Sequence, residues 1–226
     1  MVLFDIDGTL LRRSGPHHRQ VLEDAVRLMT GREASVDGIP VQGMLDNSIL
    51  IEMMERAGVE TGLIRRRLPA IVEKAQNLYV RRCPDLRSKL CPGVRAALAR
   101  LQRREVPMGL VTGNLTRIGW TKMRRAGLDA YFDFGAFGEQ APTRAELARR
   151  AIREARRGGR IGASSSITLV GDHPNDILAA RANGIRAIAV ATGLSPPDEL
   201  AAHHPDFLLA DLREFRLAML SRPPER

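Results

Sequence analysis

Five short apolar runs, alternating with longer helical patterns, constrain this chain more than any other feature. The runs fall at residues 2–6, 108–112, 167–171, 187–191 and 207–209. Apolar runs this short, bounded by turn residues, read as strands buried on both faces. Helical periodicity fills the intervals at 94–104, 117–126, 144–156, 174–183 and 197–202. Strand alternating with helix implies right-handed crossovers and a parallel sheet. Gly127, Gly158 and Gly184 stand where C-terminal helix caps are expected. The fold class is α/β, a doubly wound, Rossmann-like parallel-sheet core.

Residues 14–83 break the alternation. They show helical patterns at 18–29, 47–57 and 61–82, and no buried strand. The segment enters directly after the first strand. Ser14-Gly15-Pro16 marks one junction, and the stretch from Cys83-Pro84 to Cys91-Pro92-Gly93 marks the other. The expected division is a core of 1–13 and 84–226, with 14–83 as an α-helical cap on two hinge strands. The polar, Pro-rich tail 221–226 is expected to be disordered.

The first apolar run ends in Asp5-Ile6-Asp7-Gly8-Thr9. Open α/β sheets place their ligands at the carboxyl ends of strands. Two acids there are costly to bury unless a metal or a reaction needs them. If their surroundings separate their pKa values, one can serve as nucleophile or ligand and the other as acid/base. Three later loops add to the pair. Thr112-Gly113-Asn114 offers a hydroxyl and backbone donors suited to a phosphoryl group. Gly171-Asp172-His173-Pro174-Asn175-Asp176 brings two more acids to a strand end. Asp172 could join Asp5 and the backbone carbonyl of Asp7 around Mg²⁺, which favours oxygen ligands. Asp176 is either a supporting member of that site or a favourable charge at a helix start. Arg144 opens a helix, where the dipole disfavours a cation, so another role is expected for it.

Composition narrows the classes. The formal charge is +9, and all but three of the 35 basic residues are Arg. Much of that Arg lies beside Glu and Ala on helical segments, as a solvated face does. With 4% aromatic residues the chain lacks the stacking surface of single-strand binders, which argues against nucleic acid as a partner. A positive field would still attract small phosphorylated molecules. No apolar run is long enough to span a membrane, and no signal peptide opens the sequence, so a cytoplasmic location is expected. Cys83 and Cys91 read as reduced thiols.

These motifs, in this order and spacing, resemble the haloacid dehalogenase-like hydrolases, specifically their phosphoglycolate-phosphatase-like branch with a helical cap. Asp5-Ile-Asp7-Gly-Thr9 is similar to the family's first motif, Thr112-Gly113-Asn114 to the second, and Gly171-Asp172 through Asp176 to the fourth. Gly43-Met-Leu-Asp46-Asn47-Ser-Ile-Leu50 resembles a stretch of the cap in such phosphatases. The resemblance implies a Mg²⁺-dependent phosphatase acting on a small phosphorylated metabolite. Asp5 would attack phosphorus and become an aspartyl-phosphate, and Asp7 would act as acid and then base. Thr112, Gly113 and Asn114 would hold phosphoryl oxygens. Mg²⁺ would sit on Asp5, the Asp7 carbonyl and Asp172. Asp46 and Asn47, with His17, His18 and Arg19, are candidates for substrate choice.

The chain departs from the pattern in three places. The third motif is usually Lys, and the sequence has no Lys after Lys122. Arg144 is the candidate replacement, with Arg149 and Arg150 behind it; Arg keeps the charge but is larger and planar. Leu45 stands where Thr is common in the related cap stretch. His173 often corresponds to a small residue. The competing readings are a phosphonatase, for which Lys74 is the one cap lysine, a phosphomutase, and a non-catalytic basic protein that binds nucleic acid.

Overall fold

The computed structural model describes residues 1–12 and 15–220. The 13/14 boundary, Ser14 of the first junction and the 221–226 tail lie outside the described residues. Six parallel strands form one sheet in the order β3-β2-β1-β4-β5-β6, with β1 Val2–Phe4, β2 Met108–Val111, β3 Gly135–Ala136, β4 Thr168–Gly171, β5 Arg186–Val190 and β6 Phe207–Leu209. Val2 pairs with Met108 on one side and Thr168 on the other, so β1 is central. Strand order reverses at β1, and doubly wound sheets open their ligand crevice there.

The crossovers are α4 (Val94–Gln102), α5 (Thr116–Ala126), α6 (Arg144–Arg157), α7 (Pro174–Ala182) and α8 (Pro197–Ala202). Alternating side chains of β1 feed both faces of the sheet. Val2 and Phe4 join one buried cluster, and Leu3 joins a second with Leu147, Ala151 and Ile177 from α6 and α7.

Between β1 and α4 lie α1 (His17–Thr30), α2 (Asp46–Arg56) and α3 (Thr61–Arg82), which pack on one another. Their apolar faces, including Val21, Ala25, Leu50 and Met53, are continuous with the Val2–Phe4 cluster. Leu45, which precedes α2, is buried in the other cluster with Val111 and Leu147, so the cap is seated on both faces' cores. Where the chain leaves and re-enters the sheet domain, Leu11 and Leu90 form an antiparallel bridge. Cys91 N–H donates to the Leu10 carbonyl at 3.0 Å, and Arg12 N–H to that of Lys89 at 2.7 Å.

Besides shifts of a residue or two at element ends, three details differ from expectation. β3, Gly135–Ala136, is a sixth strand beyond the five expected runs. The first strand ends at Phe4, not residue 6: Asp5 still donates its N–H to the Val170 carbonyl at 3.0 Å, and the chain turns after it, with the Leu10 and Leu11 amides both donating to the Ile6 carbonyl. Gly158 does not take the left-handed conformation (φ −79°); that turn falls on Gly159 at φ +66°.

Candidate active site

Four loops meet above the carboxyl end of β1. Asp5 leaves β1 with 4% of its surface exposed. Burial raises its carboxyl from the ordinary 3.8 to about 6, although Arg144 pulls in the other direction. Gly8 allows the chain to turn beside it. Gly8 has φ +86°, and a Cβ there would lie 2.1 Å from an Asp172 oxygen. Asp172, from the loop after β4, accepts a hydrogen bond from Thr9 Oγ1 at 2.9 Å.

Arg144 comes from the first turn of α6 and is 8% exposed. Its Nη1 donates to Asp5 Oδ1 at 3.0 Å and to the Val111 carbonyl at 3.3 Å. Its Nε lies 3.2 Å from Asp176 Oδ1. Burial works against this guanidinium, but the carboxylates of Asp176 and Asp5 more than offset it and hold it charged. The cation expected beside Asp5 is therefore Arg144. Arg149 and Arg150 lie exposed on α6.

Asp5, Asp172 and Asp176 are all buried and can bring one carboxylate oxygen each within 4.8 Å of one another. Burial, then mutual repulsion, raises the Asp172 carboxyl well above its usual range, and burial raises that of Asp176. Asp176 also closes the start of α7, accepting from His173 N–H at 3.3 Å, which is the helix-start role expected of it. Its Oδ1 makes no hydrogen bond, its neighbour being the likewise unbonded Arg144 Nε of the ion pair. With all three ionised, the carboxylates facing one guanidinium leave two negative charges over. An all-oxygen donor set with that deficit fits a hard divalent cation.

Asp7 points elsewhere. Its Oδ2 accepts from Asn114 Nδ2 at 2.7 Å and from Lys122 Nζ at 2.5 Å. Burial opposes its ionisation, but the Lys122 ammonium, His18 and the hydrogen bonds from Lys122 and Asn114 together keep the carboxyl below the usual range. Asp7 thus offers the acidic cluster no carboxylate. Asn114 Nδ2 also donates to Thr112 Oγ1 at 2.7 Å, locking the loop after β2 to the loop after β1.

A cavity of about 1030 Å³ opens over these groups. Its floor carries Asp5, Asp7, Thr112, Gly113, Asn114, Arg144 and Asp172; its roof is formed by cap residues such as His18, Arg19, Ile39 and Met44. Asp46 reaches it, but its Oδ2 is taken by His18 Nε2 at 2.8 Å and by the Leu115 amide at 2.9 Å. Asn47, half-buried on α2, does not line it; nor do His17 and Lys74. His173 lines it while its Nδ1 accepts from the Asn175 amide at 3.1 Å. Burial and Arg144 lower its pKa, which suits the acceptor role. Gly43, at φ +64°, lies against the His173 ring, where a Cβ would come within 2.3 Å of Nδ1.

Lys122 is the residue that sequence reading missed. It is fully buried on α5. A signal was present: Lys122 lies four residues after Ile118 and four before Ala126, within the apolar stripe of its helix. A cation in such a stripe calls for a buried partner.

The family profile of haloacid dehalogenase-like hydrolases matches residues 1–184. The chain belongs to that family and is a hydrolase of its phosphatase kind. It is 28% identical over 222 residues to a phosphoglycolate phosphatase of Yersinia pestis, covering 92% of this chain and 88% of that one. It is also 28% identical over 211 residues to a phosphoglycolate phosphatase of Synechococcus elongatus, covering 92% and 91%. Among solved structures, CbbY from Rhodobacter sphaeroides in complex with phosphate shares the fold with a TM-score of 0.70, at 20% identity and 97% coverage of both chains. Among the described residues, no helix is long and apolar enough to cross a membrane.

Proposed function

We propose that the protein is a Mg²⁺-dependent phosphatase that hydrolyses a small phosphorylated metabolite through an aspartyl-phosphate on Asp5. The observation that carries this reading is the convergence of Asp5, Arg144 and Asp172 at the floor of one cavity beneath the helices of residues 14–83, with Asp176 behind them. Those helices are the cap of this reading, and residues 1–13 and 84–226 its catalytic core.

Asp5 is the nucleophile. At neutral pH its carboxyl, near 6, is ionised, and Arg144 fixes one oxygen. Attack by Asp5 on phosphorus expels the alcohol and forms the acyl phosphate. Thr112 and the amides of the loop after β2 bind phosphoryl oxygens, and Arg144 offsets the charge of carboxylate and phosphate brought together. Asp7, which Lys122 holds ionised before substrate binds, must take up a proton as the phosphate dianion arrives; it gives that proton to the leaving oxygen and then takes one from the water that cleaves the acyl phosphate. Asp5, Asp172 and the Asp7 carbonyl would hold Mg²⁺, with Asp176 in support. Bound there, the ion would neutralise charge that Arg144 leaves uncompensated. Seating the cap keeps water from the first half-reaction.

The relatives' substrate suggests phosphoglycolate as a first trial. The cavity admits larger bodies too. Nothing favours a phosphonatase, since Lys74 stands outside the cavity.

The test is a screen of phosphomonoesters with Mg²⁺ and with chelator, run on the wild type and on Asp5→Asn. The expected result is Mg²⁺-dependent release of phosphate by the wild type and none by the variant, which keeps the shape of Asp5 but not its anion. Near-wild-type turnover by Asp5→Asn would overturn the covalent mechanism.

A further inference from the structure

We propose that Lys122 is a positioning residue for Asp7 that acts in step with the seating of the cap. The inference rests on the phosphatase reading and assigns this side chain a part in it.

An ammonium with no exposed surface must be fully partnered. Among the described residues Lys122 Nζ has two polar side-chain partners, Asp7 Oδ2 at 2.5 Å and His18 Nδ1 at 3.2 Å, with the Tyr79 ring centroid 5.9 Å away. The first partner is the acid/base of the core. The second belongs to α1, in the cap. Because an ammonium can only donate, His18 Nδ1 must accept. Nε2 therefore carries the ring proton and donates to Asp46 Oδ2 at 2.8 Å, on α2. A single chain of contacts thus runs from Asp46 through His18 and Lys122 to Asp7, crossing once from the cap to the core.

Geometry gives this chain a consequence. Asp7 is joined to the core by Asn114 and Lys122, both on the same oxygen, Oδ2. Asn114 is held by its own loop through Thr112. Lys122, on a flexible four-carbon stem, takes its direction from what surrounds its head. With the cap seated, His18 and Asp7 clamp Nζ between them. With the cap lifted, His18 is withdrawn and the ammonium is free to turn away. The carboxyl of Asp7 then aligns on the leaving oxygen only when the roof above it is in place.

A neutralising role alone would need nothing of His18, and the test separates the two. Phosphoenzyme formation would be timed in single turnovers for aryl phosphates whose leaving groups run from dinitrophenol to phenol. The enzymes are the wild type, Lys122→Met, His18→Asn, Asp7→Asn and Asp7→Asn with Lys122→Met. Removing the ammonium also lets Asp7 hold a proton more readily, so electrostatics alone predict no loss, or a gain, with phenyl phosphate; if Lys122 positions Asp7, Lys122→Met should instead lose tenfold or more with phenyl phosphate, little with dinitrophenyl phosphate, and KM should stay within about twofold. His18→Asn, a half-buried position and an easier fold, should show the same trend at smaller amplitude. In the Asp7→Asn background Lys122→Met should add less than twofold. A loss equal across all leaving groups, one undiminished in the Asp7→Asn background, or an unaltered His18→Asn would each overturn the proposal. A folded wild type inactive on the whole series would instead overturn the phosphatase reading.

Discussion

Replacing Arg144 probes the centre of the site most directly, because two buried acids depend on one guanidinium. Arg144→Ala removes the Nη1 contact with Asp5 at 3.0 Å and the Nε approach to Asp176 at 3.2 Å. Both acids are almost fully buried, so no solvent replaces what is lost. Removing one partner of a buried pair costs about 3–5 kcal/mol, chiefly because the remaining charge is stranded. For a chain of this size each kcal/mol shifts Tm by about 2–4 °C, so a fall of roughly 6–20 °C is expected at pH 7.5. The loss should shrink at pH 5, because Asp5 already titrates near 6 with Arg144 present and higher without it, so protonation relieves the stranded charge. Activity should fall by about a hundredfold or more, the scale of a lost electrostatic contact of ~3 kcal/mol in the transition state. Arg144→Lys should restore a substantial part of both, since the charge stays and the fork is lost. Melting curves at the two pH values, with kcat/KM at pH 7.5, make the measurement. An Arg144→Ala protein that melts with the wild type at pH 7.5, or whose deficit is no smaller at pH 5, would refute the electrostatic account.

The other predictions concern the cluster and the cap. Asp172→Asn should raise the Mg²⁺ concentration needed for half-maximal activity by at least tenfold, or abolish activity; an unchanged titration would remove Asp172 from the ligand set. Asp5 is raised in the folded state, so its contribution to stability is fully present below about pH 4 and lost as pH rises through about 6. Added Mg²⁺ should therefore raise Tm more at pH 7 than at pH 5, and an equal or reversed increment in scanning fluorimetry would contradict this. Gly43→Val forces a β-branched residue to φ +64° and its Cβ to within 2.3 Å of His173. It should impair activity while leaving the sheet domain's melting nearly unchanged, and wild-type kcat/KM would show that the contact is dispensable.

Much of this architecture could be read in the chain, for physical reasons that also mark where reading stops. The central strands were legible because burial on both faces demands unbroken apolar runs, as in Met108–Val111. β3 was not among the five apolar runs, since two residues, Gly135 and Ala136, carry no period. Arg144 was legible because its charge opposes the dipole at the start of α6. Lys122 was not, because a motif search follows loops at strand ends, and this cation reaches the site from the second turn of a helix. Asn47 was grouped with Asp46 by sequence adjacency. One residue along a helix turns the side chain by about 100°, enough to take it off the cavity wall.

The start of α5 has a further consequence. Its first free amides are satisfied by three side chains from distant segments. Leu115 N–H donates to Asp46 at 2.9 Å, Thr116 N–H to Glu139 at 3.0 Å and Arg117 N–H to Gln76 at 2.7 Å. Asp46 and Gln76 stand on α2 and α3, whereas Glu139 belongs to the sheet domain. Lifting the cap therefore strips two of three consecutive amides and leaves the middle one protected. Each such contact is worth about 1 kcal/mol, so the helix end itself sets a modest threshold against opening. Alternate peptide groups become a built-in clock: in deuterated buffer, exchange at Leu115 and Arg117 would count openings, with Thr116 as the internal reference that no cap motion reaches.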